Sequence, residues 1–189
     1  MNAMRVFHSS ATKVLTAMLA AWCTACDDGG GSGADAPAAP DTTSAITATE
    51  LADLRYMREE EKLARDVYRA MSRSHGTPVF ANIAASEQTH MDALGGLLRQ
   101  YGVDDAAPGE GGFTIEALSG LYQTLVARGQ TSAAEALLVG ADIERLDIAD
   151  LDEAIARTDR GEIIAVYQRL RQGSENHLRA FTGGGGRRN

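Results

Sequence analysis

Cysteine is scarce in this chain, with only Cys23 and Cys26, and both lie near the N-terminus. The main part of the chain therefore has no disulfide framework, no cysteine nucleophile and no zinc-finger site. Aromatic residues make up only 5% of the sequence, which argues against a base-stacking nucleic-acid surface. The net charge is −8, so the basic footprint that phosphate backbones require is also missing. We expect no nucleic-acid partner.

The N-terminal region lacks an apolar run of the roughly 20 residues that a membrane-spanning helix needs. Residues 1–13 carry Arg5 and Lys13 and no acid, and residues 14–25 are almost wholly apolar. This order is typical of a secretory signal peptide over residues 1–25. Cys26 follows Ala25, as in a bacterial lipoprotein signal, although Cys23 stands where such signals usually carry leucine. Cleavage near Ala25 without lipidation is the alternative.

This N-terminus predicts an exported protein of the cell envelope. We expect a periplasm-facing lipoprotein whose lipid anchor is its one membrane contact, or else a secreted protein. Residues 26–46 are rich in Gly, Ala, Ser and Pro, which predicts a flexible linker. The glycine-rich residues 183–189 predict a disordered tail. The folded domain is expected over residues 47–182, close to the usual size of one domain.

The domain has no strand-length alternating segment, and its apolar residues follow helical spacing. Capping boxes at Thr47, Ser132 and Asp159, and Pro78 in a first turn, mark helix starts. The sequence predicts an all-α four-helix bundle, with an extra short helix between the second and third long helices. The expected helices cover residues 47–73, 77–100, 115–128, 132–147 and 159–181, with a short helical turn over 151–156.

Polar residues interrupt the apolar stripe of each long helix. Residues spaced alternately by three and four positions share one helix face, so these side chains point into the bundle. An unpaired buried carboxylate costs several kcal/mol or takes up a proton, and a pair of divalent metal ions would compensate the charge. Carboxylate and imidazole ligands suit iron or manganese. The candidate metal ligands are Glu61, Glu87, His90, Glu144, Asp147 and His177.

Two segments carry a resemblance to a known class. Residues 61–68 (EKLARDVY) resemble the first iron helix of rubrerythrins, and residues 174–181 (SENHLRAF) resemble their last. The wider pattern REEEKLARDVY, NIAASEQTHMDA and GSENHLRAF is similar to the ferritin-like family called domain of unknown function 2202 (DUF2202). The resemblance implies a ferritin-like fold and a di-iron centre.

The chain departs from that pattern at Ser174, where rubrerythrins carry a glutamate ligand. Asp147, one turn after Glu144, could supply the missing carboxylate. Glu175 points about 100° away from Ser174 on an ideal helix and ranks lower. The absence of a glutamate ligand at Ser174 could open a coordination position for oxygen or peroxide, or it could leave a single-metal site.

Each candidate has a structural alternative. Glu87 and His90 would form a solvated patch if their helix faced outward, and His177 alone could be a core histidine bonded to a carbonyl. Asp147 lies at the expected end of its helix, where an acid is often a cap rather than a ligand. The run of Glu59, Glu60 and Glu61 is typical of a solvated face, and Glu60 rivals Glu61 as a ligand. Two tyrosines on these stripes, Tyr68 and Tyr101, are expected to be core aromatics rather than radical or proton-relay groups.

Two classes of function remain. In the first, about two iron ions per chain, or manganese, react with dioxygen or hydrogen peroxide as in an oxidoreductase, peroxidase or ferroxidase. The sequence has no cysteine-ligated electron-transfer module, so this class needs an external electron donor. In the second, a degenerate site makes the domain a non-catalytic metal- or partner-binding module of the envelope. The catalytic residues, the substrate and the oligomeric state, for which a homodimer is one candidate, stay open.

Overall fold

The structure is a computed structural model that describes residues 45–105 and 108–183. Within these ranges the chain forms five helices and no strand: α1 (Ala48–His75), α2 (Pro78–Gln100), α3 (Glu116–Gly129), α4 (Ala133–Ile155) and α5 (Gly161–Gly183). None of the described helices is both long and apolar enough to cross a lipid bilayer. The signal peptide, Cys26, the linker up to residue 44 and the tail from residue 184 lie outside the described residues, so those assignments stay predictions.

The predicted helix starts are explained by local hydrogen bonds. At α1 the Thr47 side chain accepts a hydrogen bond from the Glu50 amide at 3.2 Å, and Glu50 accepts one from the Thr47 amide at 2.9 Å. This reciprocal capping box satisfies two amides that have no partner within the helix. Pro78 stands in the first turn of α2, as expected. Gly76, with φ of 65°, ends α1 in the left-handed conformation that glycine adopts without strain.

The predicted helix boundaries lie within two residues of the structure at every helix end except one. We expected a helix end near Asp147 and a separate turn over 151–156, but α4 continues unbroken to Ile155. The reason is that Leu151 and Ala154 extend the buried stripe, so the continuous helix keeps both in the core. The last helix begins at Gly161 rather than Asp159, and Glu162 accepts a hydrogen bond from the Tyr101 hydroxyl.

The helices form a bundle of two hairpins. Helix α1 contacts α2 across a short turn, and α4 contacts α5 in the same way. The hairpins then join through contacts of α1 with α4 and of α2 with α5, while α3 covers α1 and α4. The all-helical bundle with a short helix in the central connection is therefore confirmed.

Apolar layers lie on both sides of the bundle's polar middle. Toward one end, leucines and other apolar residues of four helices form a buried cluster that includes Leu54, Leu94, Leu151 and Leu170. Toward the other end, Tyr68, Phe80 and Phe181 contact one another, with ring centroids 5.1–6.4 Å apart. Along each of the four long helices, the predicted ligand positions fall between these two layers. The candidate site therefore has apolar packing above and below it.

Glu50 offers a test of the capped end of the bundle. Its carboxylate accepts hydrogen bonds from the Thr158 hydroxyl at 2.7 Å and from Arg160 at 3.2 Å. Burial raises the pKa of Glu50, but these bonds and those of Thr47 outweigh burial and lower it to about 2 from 4.5. Because the folded pKa is depressed, the stabilisation is complete above pH 4.5 and is lost as the pH falls toward 2.

We therefore expect Glu50→Gln to lower the Tm at pH 7 by several degrees, and to lower it much less near pH 2. Thermal unfolding across this pH range is the measurement. Glu153→Gln, which alters an exposed acid paired with Arg157, serves as the control and should change the Tm little. A Tm difference between Glu50→Gln and the parent that stays constant from pH 7 to pH 2 would refute this account.

Candidate metal centre

Five candidate ligands meet in the bundle interior, and we call them the Glu87 cluster: Glu61 on α1, Glu87 and His90 on α2, Glu144 on α4 and His177 on α5. The three carboxylates are only 1–2% exposed. His177 is 8% exposed, and the His90 side chain is 12% exposed. The helical spacing of the sequence thus places these side chains inside, and the solvated-patch alternative for Glu87 and His90 is wrong.

The Glu87 cluster consists of two overlapping three-residue groups. One contains Glu61, Glu87 and His90, the other contains Glu87, Glu144 and His177, and in each group the ligand atoms lie within 4.8 Å of one another. Glu87 is the shared member: its Oε2 lies 2.7 Å from His90 Nδ1, and its Oε1 lies 2.8 Å from His177 Nδ1. His177 Nδ1 is also 3.5 Å from Glu144 Oε2. The arrangement offers two adjacent positions for a cation.

The chemistry of these atoms fits a metal ion. Glu61 Oε1 is buried and has no hydrogen-bond partner. The two buried oxygens of Glu87 contact His90 Nδ1 and His177 Nδ1 as ion pairs, at 2.7 and 2.8 Å, but not in hydrogen-bond geometry. A buried polar atom is rarely left without a hydrogen bond, because its lost hydration is then not fully replaced. A divalent cation between them would supply the missing interactions.

Electrostatics point the same way. Burial is the largest cause that raises the pKa of Glu144, to about 8, and the negative charge of Glu87 adds to it. Burial also raises the pKa of Glu61 well above its usual value. For the histidines, burial has the opposite effect and lowers the pKa. The adjacent carboxylates outweigh it and raise the pKa to about 11 for His90 and about 9 for His177. Without a cation, the cluster has to balance its charge with protons.

Neighbouring groups hold the ligands in place. Tyr68 donates a hydrogen bond from its hydroxyl to Glu144 Oε1 at 2.6 Å, and Ser86 Oγ lies 2.9 Å from His177 Nε2. Such contacts fix the orientation of a ligand and the tautomer of an imidazole. Sequence reasoning assigned Tyr68 to the core alone, although it follows Glu61 on the same stripe. No pattern in the sequence pointed to Ser86, because it touches the site only through a residue of another helix.

Asp147 and Ser174 lie beside the Glu87 cluster. Asp147 is 4% exposed, but it belongs to neither three-residue group. The Ser174 hydroxyl donates a hydrogen bond to Asp147 Oδ2, while Asp147 Oδ1 has no hydrogen-bond partner. Ser174 stands where rubrerythrins carry a glutamate ligand, and Asp147 was expected to supply the missing carboxylate. The two residues contact each other. Asp147 as a direct ligand stays a prediction, as do the five members of the cluster. Glu175 is engaged with Arg171 instead.

The acidic run of α1 is buried rather than solvated. Glu59 accepts hydrogen bonds from the Thr114 and Ile115 amides, both at 3.0 Å, and so caps the start of α3. Lys62 is fully buried and donates to Asp66 at 2.6 Å and to the Gly109 carbonyl at 2.9 Å. The segment between α2 and α3 thus covers this face. The solvated-face alternative for this run is therefore wrong, and Glu61 is buried as its stripe position predicts.

The backbone of α5 makes room for one imidazole. A Cβ atom built on Gly173 would lie 2.6 Å from His90 Nε2 and 2.7 Å from its Cε1. Distances this short exclude any side chain at position 173 while His90 keeps its place. The glycine before Ser174 is therefore part of the site, although it carries no ligand.

The fold and the site together define a helical-bundle protein with a buried carboxylate–histidine cluster that could hold metal ions. The chain belongs to the family described as uncharacterized protein domain DUF2202, whose pattern matches residues 50–188. It is 48% identical over 138 residues to the uncharacterized protein MJ0754 of Methanocaldococcus jannaschii, covering 72% of this chain and 75% of that protein. The crystal structure of hypothetical protein MJ0754 from Methanococcus jannaschii DSM 2661 matches with a TM-score of 0.73 at 45% identity. That match covers 77% of this chain and 84% of the other. These names state no activity.

Proposed function

We propose that this domain is a ferritin-like di-iron protein that reacts with dioxygen or hydrogen peroxide. The observation that carries the proposal is the pair of three-residue groups that share Glu87 in the bundle interior. Ferritin-like di-iron bundles are built from inward glutamates and Glu-x-x-His pairs on four helices, a pattern that this chain follows except at Ser174. Mixed carboxylate and imidazole ligands without thiolate favour iron over metals that prefer sulfur.

The residues of the Glu87 cluster would hold two ions. Glu61 and His90 would hold one ion, Glu144 and His177 would hold the other, and Glu87 would contact both. When bound, two ferrous ions supply the two electrons that reduce hydrogen peroxide, with two protons, to two waters. Tyr68 keeps Glu144 oriented through its 2.6 Å hydrogen bond. The apolar layers on either side limit the entry of bulk water, which strengthens the electrostatic interactions inside.

Turnover would need a reductant from outside this domain. The only cysteines of the sequence are Cys23 and Cys26, which precede the folded domain, so the bundle has no thiolate-held electron-transfer centre of its own. A protein or small-molecule electron donor would therefore have to reduce the ferric ions. The alternative is a module that binds metal without redox turnover. Ser174 favours this alternative, because it stands where the rubrerythrin pattern has a glutamate ligand.

Iron loading tests the proposal. The full-length protein is freed of metal with a chelator, loaded anaerobically with Fe(II), passed through a desalting column and analysed. We expect close to two irons per chain and, after one equivalent of hydrogen peroxide, a ferric absorption in the near ultraviolet. Glu153→Gln, on the exposed side of α4, should behave like the parent.

Two other outcomes contradict the redox proposal. Two irons that do not respond to peroxide or dioxygen would identify a non-catalytic metal-binding module. A protein that retains no iron, and also no manganese or zinc, would rule out the metal site altogether.

A further inference from the structure

The long helices meet along seams, by which we mean the lines of contact between neighbouring helices, and three of these seams are closed. At the α1/α2 seam, Arg65 donates a hydrogen bond to Gln88 Oε1 at 2.6 Å. At the α1/α4 seam, the fully buried Tyr68 donates from its hydroxyl to a carboxylate on α4, and α3 packs over both helices. At the α4/α5 seam, the buried Ser174 donates to the buried Asp147. Polar contacts or a covering helix therefore block these three approaches to the Glu87 cluster.

The fourth seam, between α2 and α5, is where the predicted ligands come nearest to the surface. The side chains of His90 on α2 and His177 on α5 are 12% and 10% exposed, against 1–2% for the three carboxylates of the cluster. Ser86 Oγ lies 2.9 Å from His177 Nε2 across this seam, and Gly173 has no side chain opposite His90. Both Ser86 and Gly173 are half-buried. Small residues thus border the seam, and the two imidazoles lie between it and the buried carboxylates.

Each imidazole turns one nitrogen toward the cluster and the other toward the seam. The Nδ1 atoms of His90 and His177 lie 2.7 and 2.8 Å from Glu87, whereas the Nε2 atoms face Gly173 and Ser86. The two rings are stacked, with centroids 5.5 Å apart and an interplanar angle of 28°. The barrier at this seam is therefore about one imidazole thick. Rotation of one ring, a fast motion for a side chain with an exposed edge, opens it while the helices stay in place.

We propose that the α2/α5 seam is the route by which the oxidant reaches the Glu87 cluster, and that it restricts the oxidant to small molecules such as hydrogen peroxide and dioxygen. This inference rests on the proposed function and names its substrate class. Hydrogen peroxide is scarcely larger than water and passes beside a rotated ring. An organic hydroperoxide with a bulky apolar group would have to part α2 from α5, which would expose the apolar layers above and below the cluster to water.

Ser86→Leu tests the route, because the larger side chain fills the seam beside His177. Full-length protein is loaded anaerobically with Fe(II) and mixed with hydrogen peroxide, and the ferric absorption is followed by stopped flow. Ser86→Ala is the matched control, since it loses the same hydroxyl without adding bulk. We expect Ser86→Leu to be oxidised about tenfold more slowly than Ser86→Ala, because overpacking adds to the cost of opening the seam. Ala85→Leu, which adds bulk at the exposed preceding position, should match the parent.

A second measurement uses the unaltered protein. Its oxidation by hydrogen peroxide, tert-butyl hydroperoxide and cumene hydroperoxide is compared after the same iron loading. Each rate is divided by the rate at which the same oxidant reacts with ferrous EDTA, which corrects for the intrinsic reactivity of the oxidant. We expect the normalised rate with cumene hydroperoxide to be lower than that with hydrogen peroxide by about tenfold or more, because the bulky group does not fit the seam.

The outcomes separate this inference from the proposed function. Equal rates for Ser86→Leu and Ser86→Ala, both fully loaded with iron, would refute the route and leave the proposed function standing. Equal normalised rates for the three oxidants in the parent would do the same. If Ser86→Leu does not fold or does not load with iron, the oxidant series on the parent decides. A parent that holds iron but responds neither to these peroxides nor to dioxygen would refute the proposed function and this inference with it.

Discussion

Replacing Glu87 by glutamine is expected to abolish iron binding at both of the proposed positions rather than at one. Glu87 is the only residue shared by the two three-residue groups, with one oxygen 2.7 Å from His90 and the other 2.8 Å from His177. An amide is a weaker ligand than a carboxylate and brings no negative charge to offset two divalent ions. We therefore expect iron content after anaerobic loading to fall from about two ions per chain to nearly none.

The matched control is Glu144→Gln. Glu144 belongs only to the group with His177, so its loss leaves the ligands Glu61, Glu87 and His90 complete. We expect this variant to retain one ion. If Glu87→Gln retained one ion as well, the two positions would not depend on a common ligand, and the shared role of Glu87 would be wrong.

Glu87→Gln should also destabilise the metal-free protein. Burial raises the pKa of Glu87, yet contacts with His177 and His90 lower it to about 2, so this carboxylate is attracted by two protonated imidazoles. Removing its charge leaves both imidazoles poorly compensated, and breaking a buried ion pair costs about 3–5 kcal/mol. A chemical-denaturation curve of the metal-free variant measures the loss. An unchanged curve would show that the imidazoles are neutral before metal binds.

The inward positions of the ligands could be predicted because a helix has a fixed period. Glu87 and His90 are three residues apart among buried apolar neighbours, and His177 stands in the same relation to its own stripe. Turning any of these helices outward would expose its apolar stripe to water. The free-energy cost is about 25 cal/mol for each Å² of apolar surface exposed. Local pattern therefore decided which side chains enter the bundle, and Glu144 and Glu61 follow the same rule.

The environment of the acidic run could not be predicted, because its partners are distant in sequence. Thr114, which donates to Glu59, is 55 residues away, and Gly109, which accepts from Lys62, is 47 residues away. A run of five charged residues, as over residues 58–62, is ordinarily solvated, since burying each without a partner costs several kcal/mol. Glu59 is compensated by the tertiary contact with the α2–α3 segment, and Lys62 by that contact together with Asp66 on the same helix.

Asp147 shows a third limit of sequence reasoning. An acid at the expected end of a helix looks like a terminal residue, and the pattern around Asp147 led us to end the helix there. The residue that determines its surroundings is Ser174, on the neighbouring helix α5, whose hydroxyl donates to it. Which residues of one helix face which residues of another depends on packing, and neither sequence segment encodes that alone.

The second large effect is expected from Gly173→Ala. The added methyl group would lie 2.6 Å from His90 Nε2, so the imidazole has to move. The ring is the far end of a flexible side chain and its side chain is already 12% exposed, so it can swing outward while the helices stay in place. We expect the variant to lose the ion held by Glu61 and His90 and to retain the one held by Glu144 and His177. Iron content should fall from about two ions per chain to one.

Gly120→Ala separates this effect from the general consequences of adding a methyl group to a helix. Gly120 lies on α3, and a Cβ there would meet nothing within 4 Å. Alanine is favoured over glycine in a helix interior by about 1 kcal/mol, so both variants gain helix propensity and only Gly173→Ala displaces His90. We expect Gly120→Ala to keep two ions and a Tm equal to or above that of the parent. If Gly173→Ala also kept two ions, the displacement of the His90 ring would not impair metal binding, and this prediction would be refuted.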